Sequence, residues 1–228
     1  MTLPPYCRLW LPAVLVCSLP LACAVRAQTP APPAHPTSTP YAGDLGIFED
    51  PNRAKNLQIY RVMDLLHLST GKTVADIGAG GGWFSVRAAQ RVGAGGKGSG
   101  KVFAEDINPK YIDAIRLRAQ KENLPNIVTV LGTPDDPKLA PDSLDAALML
   151  KVYHEIAHPE TLLAHLHSAM KPGGRFGIID RNGHGDDHGL DEKIVRKEVE
   201  AAGFRQVGRY DFTKADGQDY FLIFEKTH

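Results

Sequence analysis

The sequence predicts an α/β fold in which a mostly parallel sheet carries helices on both faces. Three observations predict it. Short apolar runs such as Val74-Ala-Asp-Ile77, Lys101-Val-Phe-Ala-Glu-Asp106 and Asp145-Ala-Ala-Leu-Met-Leu150 have the length and composition of strands buried on both faces. Stretches with helical spacing, such as Phe84, Ala88 and Val92, lie between them. Glycine turns join the two kinds of segment, most densely at Gly78, Gly80, Gly81 and Gly82 around Ala79.

The 228 residues suit one such domain, expected over residues 50–228. Residues 1–27 read as a secretory leader: Arg8, an apolar stretch from Leu9 to Val25 broken by Pro12 and Pro20, and a small-x-small junction Val25-Arg-Ala27 where cleavage is expected. The expected location is therefore outside the cytoplasm, in a bacterial periplasm or secreted. The alternatives are retention as a membrane anchor and a lipid on Cys23, after Leu21-Ala22. Cys7, Cys17 and Cys23 all lie in this leader, so the expected mature chain has no cysteine nucleophile, thiolate metal site or disulfide. Acidic and basic residues number 26 each, and setting aside the leader's two arginines leaves a net charge near minus two. No basic field for nucleic acid is present. Residues 28–49 read as a linker, with Thr29 to Pro40 a proline-rich extended spacer without a core of its own.

Asp50 or Asn52 can cap a helix reaching about His67, with Leu57, Ile59, Val62, Met63, Leu65 and Leu66 as its apolar stripe. The first strand follows, and at its end the glycine turn opens a helix from Trp83 to Val92. Glycine lets a ligand approach the main chain, and a helix N-terminus offers free N–H groups, so a nucleotide-like ligand fits there. The dinucleotide pattern G-x-G-x-x-G would need glycine at position 83, where this chain has Trp83. Asp76, inside the strand, suits a cationic, amine-bearing ligand better than a pyrophosphate.

With its acidic residue in the strand and its x-G-x-G-x-G turn, Asp76-Ile-Gly-Ala-Gly-Gly-Gly82 resembles the first motif of class I S-adenosylmethionine-dependent methyltransferases. The resemblance implies a Rossmann-like, mostly parallel seven-stranded sheet. It places Gly78, Ala79, Gly80 and Gly82 against the amino-acid part of S-adenosylmethionine, with Asp76 organising that end. Glu49 to Gln58 also resembles the entry region of secreted or periplasmic members, where an arginine precedes the helix. Arg53 could then reach the cofactor carboxylate; the alternative is a solvated arginine at a helix start.

Gly93 to Gly100 reads as a surface loop. The second strand ends in Glu105 and Asp106. A carboxylate there can accept both hydroxyls of a ribose, and the resemblance assigns this to Asp106 with Ile107 beside the adenine. Glu105 is expected on the opposite face. Asn108 caps the next helix, with Pro109 in its first turn. After the third strand, Ile127 to Leu131, many members carry aspartate following the glycine. This chain has Gly132-Thr133, so the adenine contact is expected from Thr133, Asp135 or the backbone.

The fourth strand delivers Lys151-Val-Tyr-His-Glu-Ile156 to the carboxyl edge of the sheet. Val152-Tyr-His-Glu155 resembles the V-L-H-H segments of small-molecule methyltransferases and lacks the N/D-P-P-Y signature of enzymes acting on nucleobase or amide nitrogen. His154 is the candidate base, Tyr153 a wall or positioning group and Glu155 an orienter of the histidine. The alternative for His154 is a hydrogen-bonded residue at a helix N-terminus. A helix from His158-Pro159, the turn Lys171-Pro-Gly-Gly174, a fifth strand to Asp180, a helix from Leu190 to Ala202 and two closing strands, the last reversed, complete the pattern. The polar loop Asp180 to His188 matches no zinc or calcium spacing, so no metal is expected and the loop reads as an acceptor-binding loop or lid.

The resemblance thus implies methyl transfer from S-adenosylmethionine to a small-molecule acceptor. Two other readings remain open: a nicotinamide-dependent oxidoreductase on a related sheet, against which Trp83 and Asp76 count, and a non-catalytic adenosyl-binding module.

Overall fold

The computed structural model describes residues 1–2, 35–94, 100–214 and 216–227. The described residues from 35 onward belong to one compact unit. The expected leader, its cleavage junction and the first part of the proline-rich spacer lie outside the described residues.

Seven strands form one sheet: β1 (Thr73–Ile77), β2 (Lys101–Asp106), β3 (Ile127–Leu131), β4 (Leu144–Leu150), β5 (Met170–Arg181), β6 (Phe204–Tyr210) and β7 (Asp219–Lys226). Their order is β3-β2-β1-β4-β5-β7-β6. The pairs from β3 to β5 are parallel, and β7 runs antiparallel to both β5 and β6. The strand order reverses between β1 and β4, so their carboxyl ends flank the crevice in which open α/β sheets bind ligands. The expected architecture, including the reversed last strand, is present: this is the class I methyltransferase fold.

Period-two alternation places Val74, Ala146, Leu148 and Ile179 on one face of the sheet. There they meet α2 (Ile59–Leu65) and α3 (Trp83–Val92) through Met63, Phe84 and Ala88. Ala75, Ile77, Ala147, Met149, Phe176 and Ile178 face the other way. They pack on α5 (Pro159–Ala169) and α6 (Glu192–Ala201) through Leu163, Leu166 and Val195. Each fully buried side chain of this kind contributes about 1.5–3 kcal/mol. Helix α4 (Pro109–Lys121) closes over β2 with Ile112 and Ile115, and Asn108 caps it by accepting the Lys110 N–H at 3.0 Å.

Three boundaries differ from the sequence reading. The leading helix is interrupted: Gln58 adopts φ 47°, separating α1 (Arg53–Asn56) from α2. Strand β5 starts at Met170 rather than Arg175, because Met170 pairs with Leu144 before a bulge absorbs the Lys171-Pro-Gly-Gly turn. The spacer, from His35 onward, is extended but not free. Ser38 N–H donates to the His154 carbonyl at 3.0 Å, and Ser38 Oγ donates to the Gly185 carbonyl at 2.8 Å while accepting the His188 N–H at 3.0 Å. Residues 35–49 thus form a strap across the carboxyl edge of the sheet, ending in a 3-10 turn, Leu45–Phe48.

Candidate functional site

A cavity of about 750 Å³ opens at the carboxyl ends of β1, β2 and β4, walled on its outer side by the strap from Thr37 to Glu49. That volume lies in the upper part of the range typical of small-molecule sites.

The glycine turn forms its floor. Gly78 has φ 68°, and a Cβ there would stand 2.7 Å from both γ carbons of Val152, so only glycine fits. Gly78, Ala79, Gly80 and Gly81 line the cavity; Gly82 does not. Gly82 has φ 74° and packs under Ile115 of α4, so its role is to seat α3 close to α4. This corrects the expectation that Gly82 lies against a ligand, while Gly81 joins the lining.

Asp76 lies on the α3 side of β1 and accepts the Ser85 hydroxyl at 2.6 Å. Burial raises its pKa to about 7, against the lowering effect of the Ser85 hydrogen bonds. Arg53 reaches the same end of the cavity. Its guanidinium stacks 4.4 Å over Trp83 and 5.2 Å from Phe48 and donates to the Phe48 carbonyl at 2.9 Å. Arg87 also lies over the Trp83 ring, at 3.9 Å.

Asp106, at the end of β2, accepts the Gly80 N–H and the Asn108 N–H, each at 2.8 Å. It lines the cavity with Ile107. Burial raises its pKa, with these hydrogen bonds opposing. Glu105 also lines the cavity, contrary to the expected alternation, because it lies at the strand end where its side chain bends back to accept the Gly78 N–H at 3.3 Å. Burial lifts it to about 8, and its Oε1 is buried without a hydrogen-bond partner. Thr133 and Pro134 reach the cavity wall but Asp135 does not: the Thr133–Asp136 bridge turns the loop so that Asp135 Oδ1 is buried elsewhere, unpartnered.

The segment after β4 is a 3-10 turn, Tyr153–Glu155, entered through Lys151 at φ 61°. Three residues per turn send successive side chains about 120° apart. Tyr153 points into the core, where its hydroxyl donates to Glu198 of α6 at 2.9 Å, so it is not a cavity wall. His154, 4% exposed, points toward β5, and its Nδ1 lies 2.9 Å from Asp180 Oδ1, which puts a ring proton on Nδ1. Burial disfavours charge on the ring, yet the Asp180 hydrogen bond and charge outweigh it and the pKa is raised. Glu155 alone of the three lines the cavity. Its Oε1 accepts the Tyr41 N–H from the strap at 3.2 Å and stands 3.9 Å from His154 Nε2. Burial lifts Glu155 to about 7, with His154 opposing. Lys151 pairs with the buried Asp219 at 2.5 Å.

Of the residues singled out in the sequence, Asp76, Gly78, Ala79, Gly80, Asp106, Ile107 and Thr133 line this one cavity. Sequence reasoning missed Glu105 and the strap residues from Thr37 to Phe48, which carry no periodic signal. Arg118 of α4 ties that strap down by accompanying Glu49 at 2.6 Å while donating to the Gly81 carbonyl at 3.1 Å. Among the described residues no group of three or more potential ligands is placed to hold a metal, and no helix is long and apolar enough to cross a membrane.

Residues 74–174 match the family model described as a methyltransferase domain. An uncharacterized methyltransferase of Mycobacterium tuberculosis is 29% identical over 117 residues, 51% of this chain and 43% of that protein. The matched region therefore spans less than half the length of this curated relative. Among solved structures, an S-adenosylmethionine-dependent methyltransferase from Aquifex aeolicus superposes with a TM-score of 0.71 at 22% identity, covering 80% of this chain and 96% of that one. Geranyl diphosphate C-methyltransferase from Streptomyces coelicolor, solved with S-adenosyl-L-homocysteine, superposes at 0.64 with 14% identity, covering 85% and 91%.

Proposed function

We propose, for a chain whose residues 74–174 match a methyltransferase-domain model and whose sheet has the class I topology, that it transfers a methyl group from S-adenosylmethionine to a small-molecule acceptor. The observation that carries this reading is the pairing of Gly80 N–H with Asp106 at the floor of the cavity. It joins the glycine turn of β1 to the carboxylate of β2, the two features an adenosyl cofactor needs side by side. In this reading Asp106 accepts the ribose hydroxyls. Ile107 and Thr133 flank the adenine. Gly78, Ala79 and Gly80 underlie the amino-acid part, and Arg53 and Asp76 hold its carboxylate and amine. The cofactor supplies a methyl group on a positively charged sulfur, and the acidic lining favours that charge.

The chain's own contribution to the chemistry is to hold the acceptor in line with the methyl group, exclude water beneath the strap, and receive a proton at the acceptor end. His154 and its Asp180 partner stand behind that end, and Glu155 stands at it. Purified protein incubated with methyl-labelled S-adenosylmethionine and a metabolite extract should transfer label to a small molecule. Label transfer abolished by Asp106→Ala supports the reading, and no transfer from any extract contradicts it.

Export is proposed as well, on Arg8, the apolar stretch Leu9 to Val25 and the Val25-Arg-Ala27 junction. Fractionation should recover a chain beginning near Gln28 outside the cytoplasm. Full-length protein in the cytosol contradicts it.

A further inference from the structure

Glu155 is the one residue of the turn after β4 that enters the cavity, and its surroundings say what it can meet there. It shares the wall with Tyr41, Ile156, Ala157 and Leu162, which offer no cationic partner. The two bases that line the cavity are engaged elsewhere: Lys151 pairs with Asp219 at 2.5 Å, and Arg53 is stacked between Phe48 and Trp83. Among the described residues the only donor to the Glu155 carboxylate is the backbone N–H of Tyr41, and His154 Nε2 stands 3.9 Å off. A largely desolvated carboxylate beside the apolar side chains Ile156 and Leu162, with its second oxygen free of a protein donor among the described residues, is built to receive a donor from a guest.

We propose that the methyl acceptor is a small amine, bound as an ammonium against Glu155 and deprotonated by it. This rests on the methyltransferase reading and deepens it. The ammonium first gives one proton to the Glu155 carboxylate, which frees the nitrogen lone pair. The lone pair then forms the C–N bond as the C–S bond breaks. The C–S electron pair stays on sulfur, leaving a neutral thioether and a methylated ammonium. His154, held by Asp180, is a positioning residue whose ring keeps the carboxylate turned to the cavity. A carboxylate or phosphate acceptor at this wall would face Glu155 without a free lysine or arginine among the described lining residues to balance it.

The test uses the full chain saturated with S-adenosylhomocysteine, which leaves the methyl position empty, and titrates benzylamine, benzyl alcohol and benzoate by calorimetry at pH 8. Benzylamine should bind at least about tenfold more tightly than benzoate, and Glu155→Gln should erase that preference while still binding S-adenosylhomocysteine. Benzylamine failing to bind, benzoate equalling it, or the preference surviving in Glu155→Gln overturns the amine assignment alone. Failure of S-adenosylhomocysteine itself to bind overturns the methyltransferase reading and this inference together.

Discussion

The Gly80 N–H donates to Asp106 Oδ2 at 2.8 Å, so the turn after β1 and the end of β2 are locked to each other before any ligand arrives. A preformed acceptor at that point spares a ligand the cost of ordering it. Asp106→Ala should weaken S-adenosylmethionine binding roughly 10- to 100-fold, the loss expected for one net hydrogen bond to a charged group. Calorimetric Kd values for the two proteins check this. An unchanged Kd would remove Asp106 from the site.

Gly78 carries the tightest constraint on the cavity floor. Gly78→Ala forces a Cβ onto the γ carbons of Val152 at a φ that alanine resists, which should destabilise the domain by about 1–3 kcal/mol. Adding Val152→Ala should recover part of this, since the clash is removed and the backbone strain is not. Urea unfolding of the single and double variants measures both. Full additivity of the two substitutions would contradict the contact.

His154→Ala should destabilise the fold, because it strips the ring donor from Asp180, which is fully buried. The His154 and Arg181 N–H groups still reach that carboxylate at 3.1 and 2.8 Å, which holds the loss to about 2–4 kcal/mol, or roughly 5–15 °C in Tm. Glu155→Gln, at the cavity wall, should leave Tm nearly unchanged. Thermal scans showing the reverse order would contradict the buried His154–Asp180 contact.

Stability without ligand should fall as pH rises from about 4 to 8. Asp76 and Glu155 are raised to about 7 and Glu105 to about 8, so over that interval the folded state holds protons that the unfolded state has released. His154 adds the same sign: its folded pKa is raised by Asp180, so its contribution is present below its ordinary value and is lost as pH climbs through the raised one. The groups facing these acids, Asp106, Asp180, Arg53 and Ser85, do not reverse the direction. Denaturation at pH 5 and pH 8 should differ by on the order of a few kcal/mol in favour of pH 5. Greater stability at pH 8 would refute the burial of these acids.

What was legible in the sequence was what local chemistry dictates. The apolar run ending at Ile77, the glycines at 78, 80, 81 and 82 and the Asn108-Pro109 cap each constrain their own backbone, so β1, α3 and α4 could be read directly. The sense of a side chain at a strand end could not. Glu105 bends back to a glycine N–H that is distant in sequence, and Tyr153 turns inward because Lys151 enters a 3-10 turn through a left-handed backbone. The strap was invisible for a different reason. Its hold on the domain comes from Ser38 reaching residues 185 and 188, a long-range contact that a proline- and threonine-rich stretch does not announce.

The most direct measurement is a calorimetric titration of S-adenosylmethionine into the purified protein. A saturable heat with Kd in about the micromolar range, competed by S-adenosylhomocysteine and indifferent to a nicotinamide dinucleotide, is the result expected. No saturable heat from either sulfur compound, or saturable binding of the dinucleotide in the same cavity, would contradict the account.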